Sequence, residues 1–165
     1  MDQSNFLEEI IGLLAGHAIR YCVIGGQGVN AYAEPLVSLD LDLVVAVDQL
    51  ASVEGLLRER FRVERFPHSL NISAQGSELR VQIQTDPRYF DFPDRASEKD
   101  VLGLRLQVAA VEDVLNGKIW AAQDPERRAT KRRKDLLDIE RLIEAHPELR
   151  SQVPSEIRER LSSPL

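Results

Sequence analysis

Cysteine is almost absent from this chain of 165 residues, which contains only Cys22. A single cysteine excludes a disulfide framework and a cysteine-based zinc site. The three histidines lack the spacing of a metal site, and no Gly-Lys-Ser or Gly-Lys-Thr tripeptide is present. The missing tripeptide excludes a phosphate-binding P-loop.

Long apolar segments are also missing, because no run approaches the roughly 18 residues that a membrane span needs. Residues 1–20 show helical periodicity and two glutamates, unlike a signal peptide. Together with the scarcity of cysteine, these features predict a protein of a reducing, cytoplasmic setting with no membrane partner.

Positive charge is in short supply, since 21 Lys and Arg residues face 27 Asp and Glu residues and the formal net charge is −6. An acidic chain does not favour nucleic-acid binding over its whole surface. Six basic residues are nevertheless concentrated in the segment 127–134. Such a run is typical of a solvated helix start, and it also suits a patch that faces the phosphates of a nucleotide or an RNA.

With 43% hydrophobic and 29% charged residues, the composition is ordinary for a soluble protein. The length of 165 residues predicts one domain or one domain with a helical extension. Hydrophobic periodicity predicts an α/β core over residues 1–109 and a helical region over residues 110–165. The predicted helices are 5–18, 27–33, 49–60 and the segments after 111; the predicted strands are 21–24, 38–47, 62–66, 69–73, 78–85 and 102–108, with a polar loop at 86–99.

Two motifs in the first half suggest a site for a metal ion and phosphate. A predicted strand runs into the Gly25-Gly26 turn, and the next strand carries Asp40 and Asp42. Residues i and i+2 of a strand point to the same face, so both carboxylates can converge on one hard cation. Mg²⁺ binds one or two protein carboxylates and completes its shell with water and substrate phosphate. The backbone N–H groups of a glycine turn can bind a phosphate.

Two charges fall on apolar helix faces in the second half. On a helical wheel, Lys118 lies in the middle of an apolar stripe, and Asp135 lies between Ile139 and Leu142 with Asp138 at the edge. A charge in such a place needs a partner. Lys118 and Asp135 either form a structural ion pair or face the cleft near Asp40 and Asp42.

The glycine turn followed by Asp40-Leu41-Asp42 resembles the signature of the nucleotidyltransferase superfamily, which has the DNA polymerase β-like fold. Lys118 and the later Lys134-Asp135-Leu136-Leu137-Asp138 are similar to a second motif of its small bacterial branch, the abortive-infection-type toxin nucleotidyltransferases. That branch usually has Arg-x-Thr before the two acids, whereas this chain has Leu36 and Ser38 in those places. The resemblance extends from residue 20 to about residue 143.

The resemblance implies a mixed sheet flanked by helices, with a C-terminal helical cap. It implies Mg²⁺- or Mn²⁺-dependent transfer of a nucleoside monophosphate from an NTP to a hydroxyl of RNA such as tRNA, of a protein or of a small molecule, and an antitoxin as a further partner. By this resemblance Asp40 and Asp42 bind metal and act in catalysis with Lys118 and Asp135. The expected nucleotide-binding residues are Gly25, Gly26, Gln27, Ser38, Lys134 and Asp138.

The chain departs from the family at the third carboxylate, which a later strand normally supplies. The corresponding segment offers Gln82 and Gln84, with Asp86 at its end. An amide oxygen can ligate a metal but cannot act as a general base. This departure predicts a weak or inactive transferase, or a non-catalytic protein of the same fold that binds nucleotide or acts in a toxin–antitoxin pair.

A competing interpretation comes from Gly26-x-Gly28-x-x-Ala31, which satisfies a loose dinucleotide-binding fingerprint. Three features weigh against an oxidoreductase fragment. The following helix has room for only about two turns before Pro35, the next strand carries two acids where one is needed, and the chain is short for two domains.

Overall fold

The structure is a computed structural model that describes residues 3–161. Within this range the chain forms six α-helices, seven β-strands and several 3₁₀ turns. In chain order the helices and strands are α1 (Gln3–Gly16), β1 (Tyr21–Ile24), α2 (Gly25–Asn30), β2 (Asp40–Val45), α3 (Leu50–Arg58), β3 (Arg62–Phe66), β4 (Ser69–Ser73), β5 (Arg80–Gln84), β6 (Ser97–Val101), β7 (Leu104–Val108), α4 (Val111–Gln123), α5 (Ala129–Ala145) and α6 (Ser155–Arg158).

The strands form one mixed sheet in the order β3-β4-β5-β2-β1-β7-β6. Strand β2 pairs in parallel with β5, and β1 pairs in parallel with β7, while the other neighbours are antiparallel. The predicted mixed α/β fold with flanking helices is therefore confirmed.

Strand β2 separates two apolar cores. Leu41 and Leu43 are buried in a core that includes residues of α1 and α3. Val44, on the opposite face, is buried in a second core with residues of α2, α4 and α5. Asp40 and Asp42 share the face of Val44, because side chains alternate along a strand. Only the Val44 end of this face is covered, so the two acids remain at the edge of an open cleft.

Residues 86–99 were predicted as a loop, and this prediction is wrong for its last part. Ser97–Val101 forms the edge strand β6, which pairs with β7. Because four of its five residues are polar and it lies at the sheet edge, no apolar alternation marks it. The strand predicted from residue 102 begins at Leu104, because Leu102 and Gly103 have φ values of 50° and 87° and form the hairpin turn.

The dinucleotide fingerprint lies in the wrong topology. Strands β1 and β2, which flank α2, are antiparallel neighbours. A dinucleotide-binding βαβ unit requires parallel strands around a crossover helix. Helix α2 is also short, with six residues. The glycines therefore form a strand-to-helix turn beside the acids of β2.

The helical segments after Ala109 pack onto the sheet through the second core, where Leu115, Ile139 and Leu142 meet Cys22 and Val44. Whether residues 110–165 form a separate unit stays a prediction, and residues 1–2 and 162–165 of the predicted ranges lie outside the described residues. None of the helices within residues 3–161 combines the length and the apolar character needed to cross a bilayer.

Candidate active site

A cleft of about 470 Å³ lies beside the ends of β2 and β5 and is bordered by α5. It brings together most of the residues predicted for the site: Gly26, Ser38, Asp40, Asp42, Lys118, Lys134, Asp135 and Asp138. A smaller cavity of about 90 Å³ adjoins it and is bordered by Gly25, Asp42, Gln82 and Lys118. Gln27 lines neither cavity; its side chain donates to the Ser38 carbonyl at 3.2 Å.

The Gly25-Gly26 turn lies directly against Asp42. Gly25 has a φ of 66°, and a Cβ built on it would be 2.2 Å from Asp42 Oδ2. Only glycine can therefore occupy this position without moving the carboxylate. Gly26 has more room, because its added Cβ would be 3.8 Å from Asp138 Oδ2. The turn thus lies between the carboxylates of Asp42 and Asp138.

Gln82 occupies the position next to Asp42 on the neighbouring strand. The parallel register pairs Asp42 with Gln82 and Val44 with Gln84. The predicted alternative of Asp86 is not supported by its contacts. Asp86 lies outside both cavities, where it accepts a hydrogen bond from the Arg88 backbone and pairs with the Arg88 guanidinium. The strand position next to Asp42 is therefore held by an amide.

Arg80 contacts the other acid of the pair, an interaction that sequence analysis missed. It lies opposite Asp40 in the register, and its Nε forms an ion pair with Asp40 Oδ1 at 2.8 Å. The Arg80 side chain is 70% exposed. The signal in the sequence was a basic residue two positions before Gln82, but its partner depends on the pairing of β2 with β5.

Lys118 lies in a compact ion cluster between α4 and α5. Its Nζ is 2.8 Å from Asp138 Oδ2 and 3.2 Å from Asp135 Oδ1. Asp135 is fully buried and also accepts two hydrogen bonds from Arg127, at 2.8 and 2.9 Å. Both sequence hypotheses are thus realised at once: Lys118 pairs with Asp135, and both residues border the cleft that contains Asp40 and Asp42.

The pKa values of Asp42 and Lys118 are both raised, for different reasons. Burial raises the pKa of Asp42, with a further increase from Asp40 that Lys118 partly offsets. Burial alone would lower the pKa of Lys118, but Asp138 and Asp135 outweigh it and raise that pKa. Lys118 is therefore a permanent cation beside a carboxylate that is costly to ionise.

A hydrogen-bond network positions the loop that leads into β2, and its key residues were also missed. Arg141 donates to Asp138 Oδ1 at 2.8 Å and to Asn30 Oδ1 at 2.6 Å. The buried Asn30 side chain binds both the N–H and the carbonyl of Leu36. Ser38 Oγ then accepts from the Asp40 N–H at 3.1 Å. The network connects the ion cluster to the first acid of the site.

The six basic residues of the segment 127–134 make different kinds of contact. Lys131 and Lys134 border the cleft, Arg127 pairs with Asp135, and Arg132 donates to backbone carbonyls at the end of α4. The remaining two, Arg128 and Arg133, are exposed. Arg127 borders the cleft as well, so three of the six lie where the phosphate-facing interpretation requires.

The donors at the cleft suit one hard divalent cation. Asp40 and Asp42 offer two carboxylates, and Gln82 can add an amide oxygen. Mg²⁺ typically takes one or two protein carboxylates and relies on water and phosphate for the rest. Across residues 3–161, no group of three or more His, Cys, Asp or Glu residues forms a metal-binding cluster.

Comparisons with known proteins show which fold this is. No family model matches the chain, and no curated protein matches its sequence. Among solved structures, ANT(2")-Ia in complex with adenylyl-2"-tobramycin is similar with a TM-score of 0.68 at 13% identity, over 96% of this chain and 98% of that chain.

Two further structures agree. The lincosamide antibiotic adenylyltransferase LnuA, with bound lincomycin, has a TM-score of 0.57 at 14% identity, over 82% of this chain and 95% of that chain. An antigenic nucleotidyltransferase-like protein from Paracoccidioides brasiliensis has a TM-score of 0.55 at 18% identity, over 95% and 84%. The chain therefore has the nucleotidyltransferase fold that its motifs predicted, while membership of the abortive-infection branch stays a prediction.

Gly25→Ala should lower the free energy of unfolding by about 1–3 kcal/mol. A left-handed conformation costs a non-glycine residue roughly 1–2 kcal/mol, and the added Cβ also displaces the Asp42 carboxylate. Gly26→Ala is the matched control, with a change within about 0.5 kcal/mol. Urea denaturation of both variants tests this, and equal stability of the two would show that the turn can relax away from Asp42.

Asp42→Asn should stabilise the protein at pH 7. The raised pKa of Asp42 means that the folded state disfavours its ionised form. The cost is present above the folded-state pKa and vanishes as the pH falls below the ordinary value of 3.8. The stability difference from the unmodified protein, measured by urea denaturation, should therefore shrink from pH 7 towards pH 4.

Asp40→Asn serves as the comparison, because it removes the exposed ion pair with Arg80 and should give no gain. An Asp42→Asn variant that is less stable than the unmodified protein at pH 7 would contradict the electrostatic description of the site.

Proposed function

We propose that this protein is a metal-dependent nucleotidyltransferase that transfers a nucleoside monophosphate from an NTP to a hydroxyl of a small molecule. The observation that carries the proposal is one cleft that combines the carboxylates of Asp40 and Asp42 with the cations Lys118, Lys131 and Lys134. The carboxylates on β2 and the lysines on α4 and α5 match the two needs of an NTP, a divalent metal and charge neutralisation of its phosphates. A volume of about 470 Å³ is within the usual range of small-ligand sites.

Asp40 and Asp42 would hold Mg²⁺ or Mn²⁺, which when bound supplies Lewis-acid polarisation of a phosphate oxygen. Lys131 and Lys134, which lie on α5, would bind oxygens of the triphosphate. Lys118 would add positive charge near Asp42, with its position fixed by Asp135 and Asp138. The Gly25-Gly26 turn would lie against the phosphates, and Ser38 with Gln27 would keep the preceding loop in place.

A small-molecule acceptor is favoured over RNA by two features of the chain. The net charge of −6 gives no general attraction to nucleic acid. The cleft rim carries the exposed apolar side chains Leu36, Val37 and Leu137, which suit the apolar part of a compact organic molecule. The similar structure of ANT(2")-Ia contains adenylyl-2"-tobramycin, and that of LnuA contains lincomycin. An antitoxin partner and a cytoplasmic location remain predictions.

The amide of Gln82 predicts slow transfer. A general base typically contributes roughly 10²–10⁴-fold to a rate, and Gln82 cannot accept the proton of an attacking hydroxyl. The same residue, together with the Arg80–Asp40 ion pair, favours a second candidate: a protein of this fold that binds NTP without transferring it. The two functions differ in product formation and not in nucleotide affinity.

Incubation with each α-³²P-labelled NTP and Mg²⁺ tests the proposal, with aminoglycosides, lincosamides, total tRNA and proteins as separate acceptors. We expect a labelled small molecule together with released pyrophosphate. Asp42→Asn should reduce the rate on the order of 100-fold or more, since even groups that only orient a metal ligand contribute roughly 10- to 100-fold.

Asp48→Asn is the matched control, because Asp48 pairs with Arg20 away from the cleft and its loss should leave the rate unchanged. Labelled tRNA or protein would replace the proposed acceptor class. NTP binding without any product would establish the non-catalytic function, and the absence of metal-dependent NTP binding would refute both.

A further inference from the structure

The two acids of β2 have unlike surroundings. Asp42 lies against Gly25 and carries a raised pKa because of burial. Asp40 is paired at 2.8 Å with Arg80, whose side chain is 70% exposed. The Asp40 side chain is 25% exposed, so the pair lies at the surface of the cleft, where ion pairs contribute little free energy and Arg80 can leave at low cost. A cation that binds Asp40 must compete with this guanidinium.

The neighbouring strand β5 offers no negative charge that could hold a second metal ion. Two-metal sites hold their cations about 3.5–4 Å apart, and carboxylates compensate the repulsion between them. Here Gln82 lies opposite Asp42, where its amide oxygen brings no negative charge. Asp40 and Asp42 together balance one divalent cation, and Arg80 already adds a further positive charge at Asp40.

We infer that Arg80 takes the place of a second metal ion, so that the site works with one divalent cation and one guanidinium. This inference rests on the proposed function. In the free protein Arg80 pairs with Asp40. When a nucleotide binds with its metal, Arg80 would move from Asp40 to a phosphate oxygen of that nucleotide.

The geometry supports this exchange. Arg80 borders the same cleft as Asp40, and a phosphate of a nucleotide whose cation Asp40 helps to hold would come close to the carboxylate that Arg80 contacts now. A short rotation of an exposed side chain is therefore sufficient. The planar guanidinium can donate two parallel hydrogen bonds to a phosphate. It would thus stabilise negative charge on the transferred group without a third carboxylate.

The test counts metal ions. The protein is dialysed against Mn²⁺ and α,β-methylene-ATP, which is not cleaved between the α- and β-phosphates, and bound manganese and nucleotide are both measured. We expect one Mn²⁺ per bound nucleotide. Gln82→Asp should raise this ratio to two, whereas Gln84→Asp, which lies opposite Val44 on the same strand, should leave it at one.

A second measurement addresses Arg80 without nucleotide. Arg80→Ala should bind Mn²⁺ on the order of 2- to 10-fold more tightly than the unmodified protein, because the competing cation at Asp40 is gone. Arg105→Ala removes a similarly exposed arginine that pairs with Glu98 away from the cleft, and it should not change the affinity. In the transfer assay, Arg80→Ala should be about 10²-fold or more slower, and Arg80→Lys should recover part of the rate.

The outcomes separate the two levels of the proposal. Two Mn²⁺ per nucleotide in the unmodified protein would overturn the single-metal inference while the proposed transferase stands. One Mn²⁺ per nucleotide, with metal affinity and transfer both unaffected in Arg80→Ala, would overturn the role of Arg80. Failure to retain either Mn²⁺ or nucleotide would refute the proposed function itself.

Discussion

The ion cluster of Lys118 with Asp135 and Asp138 is the interaction on which the candidate site depends. Removing the buried Asp135 takes an ion-pair partner from both Lys118 and Arg127, and breaking a buried ion pair typically costs several kcal/mol. Asp135 has no exposure and satisfies Lys118 and Arg127 together. Asp138 joins Lys118 to Arg141. The cluster therefore fixes α4 against α5 and sets the basic wall of the cleft relative to the acids of β2.

A second constraint acts on the acids themselves. Asp42 is kept close to the glycine turn and pays for its position with a raised pKa, whereas Asp40 stays near solvent with Arg80. Burial makes the ionised carboxylate unfavourable while no cation is bound, and it also strengthens the attraction of that carboxylate for a cation that binds. We interpret this asymmetry as a division of roles. Asp42 would attract a cation strongly, and Asp40 would exchange its present partner Arg80 for that cation.

Much of this site could be predicted from local patterns. Period-two alternation placed Asp40 and Asp42 on one face, and the helical wheel identified Lys118 and Asp135 as charges in need of partners. Contacts between residues that are far apart in the sequence could not be predicted. Arg141 and Asn30 are 111 positions apart, and the choice of Gln82 over Gln84 required the register between β2 and β5. Strand β6 was not predicted, because this edge strand is mostly polar and lacks the alternation of apolar and polar residues.

The central claim is that Asp40 and Asp42 jointly bind a divalent cation that meets the phosphates of an NTP in this cleft. Crystals grown with Mn²⁺ and α,β-methylene-ATP test it most directly through the anomalous scattering of manganese. The account predicts one strong peak between the two carboxylates, in contact with a phosphate oxygen and near Gln82. A nucleotide bound elsewhere, or manganese that contacts neither carboxylate, would contradict it.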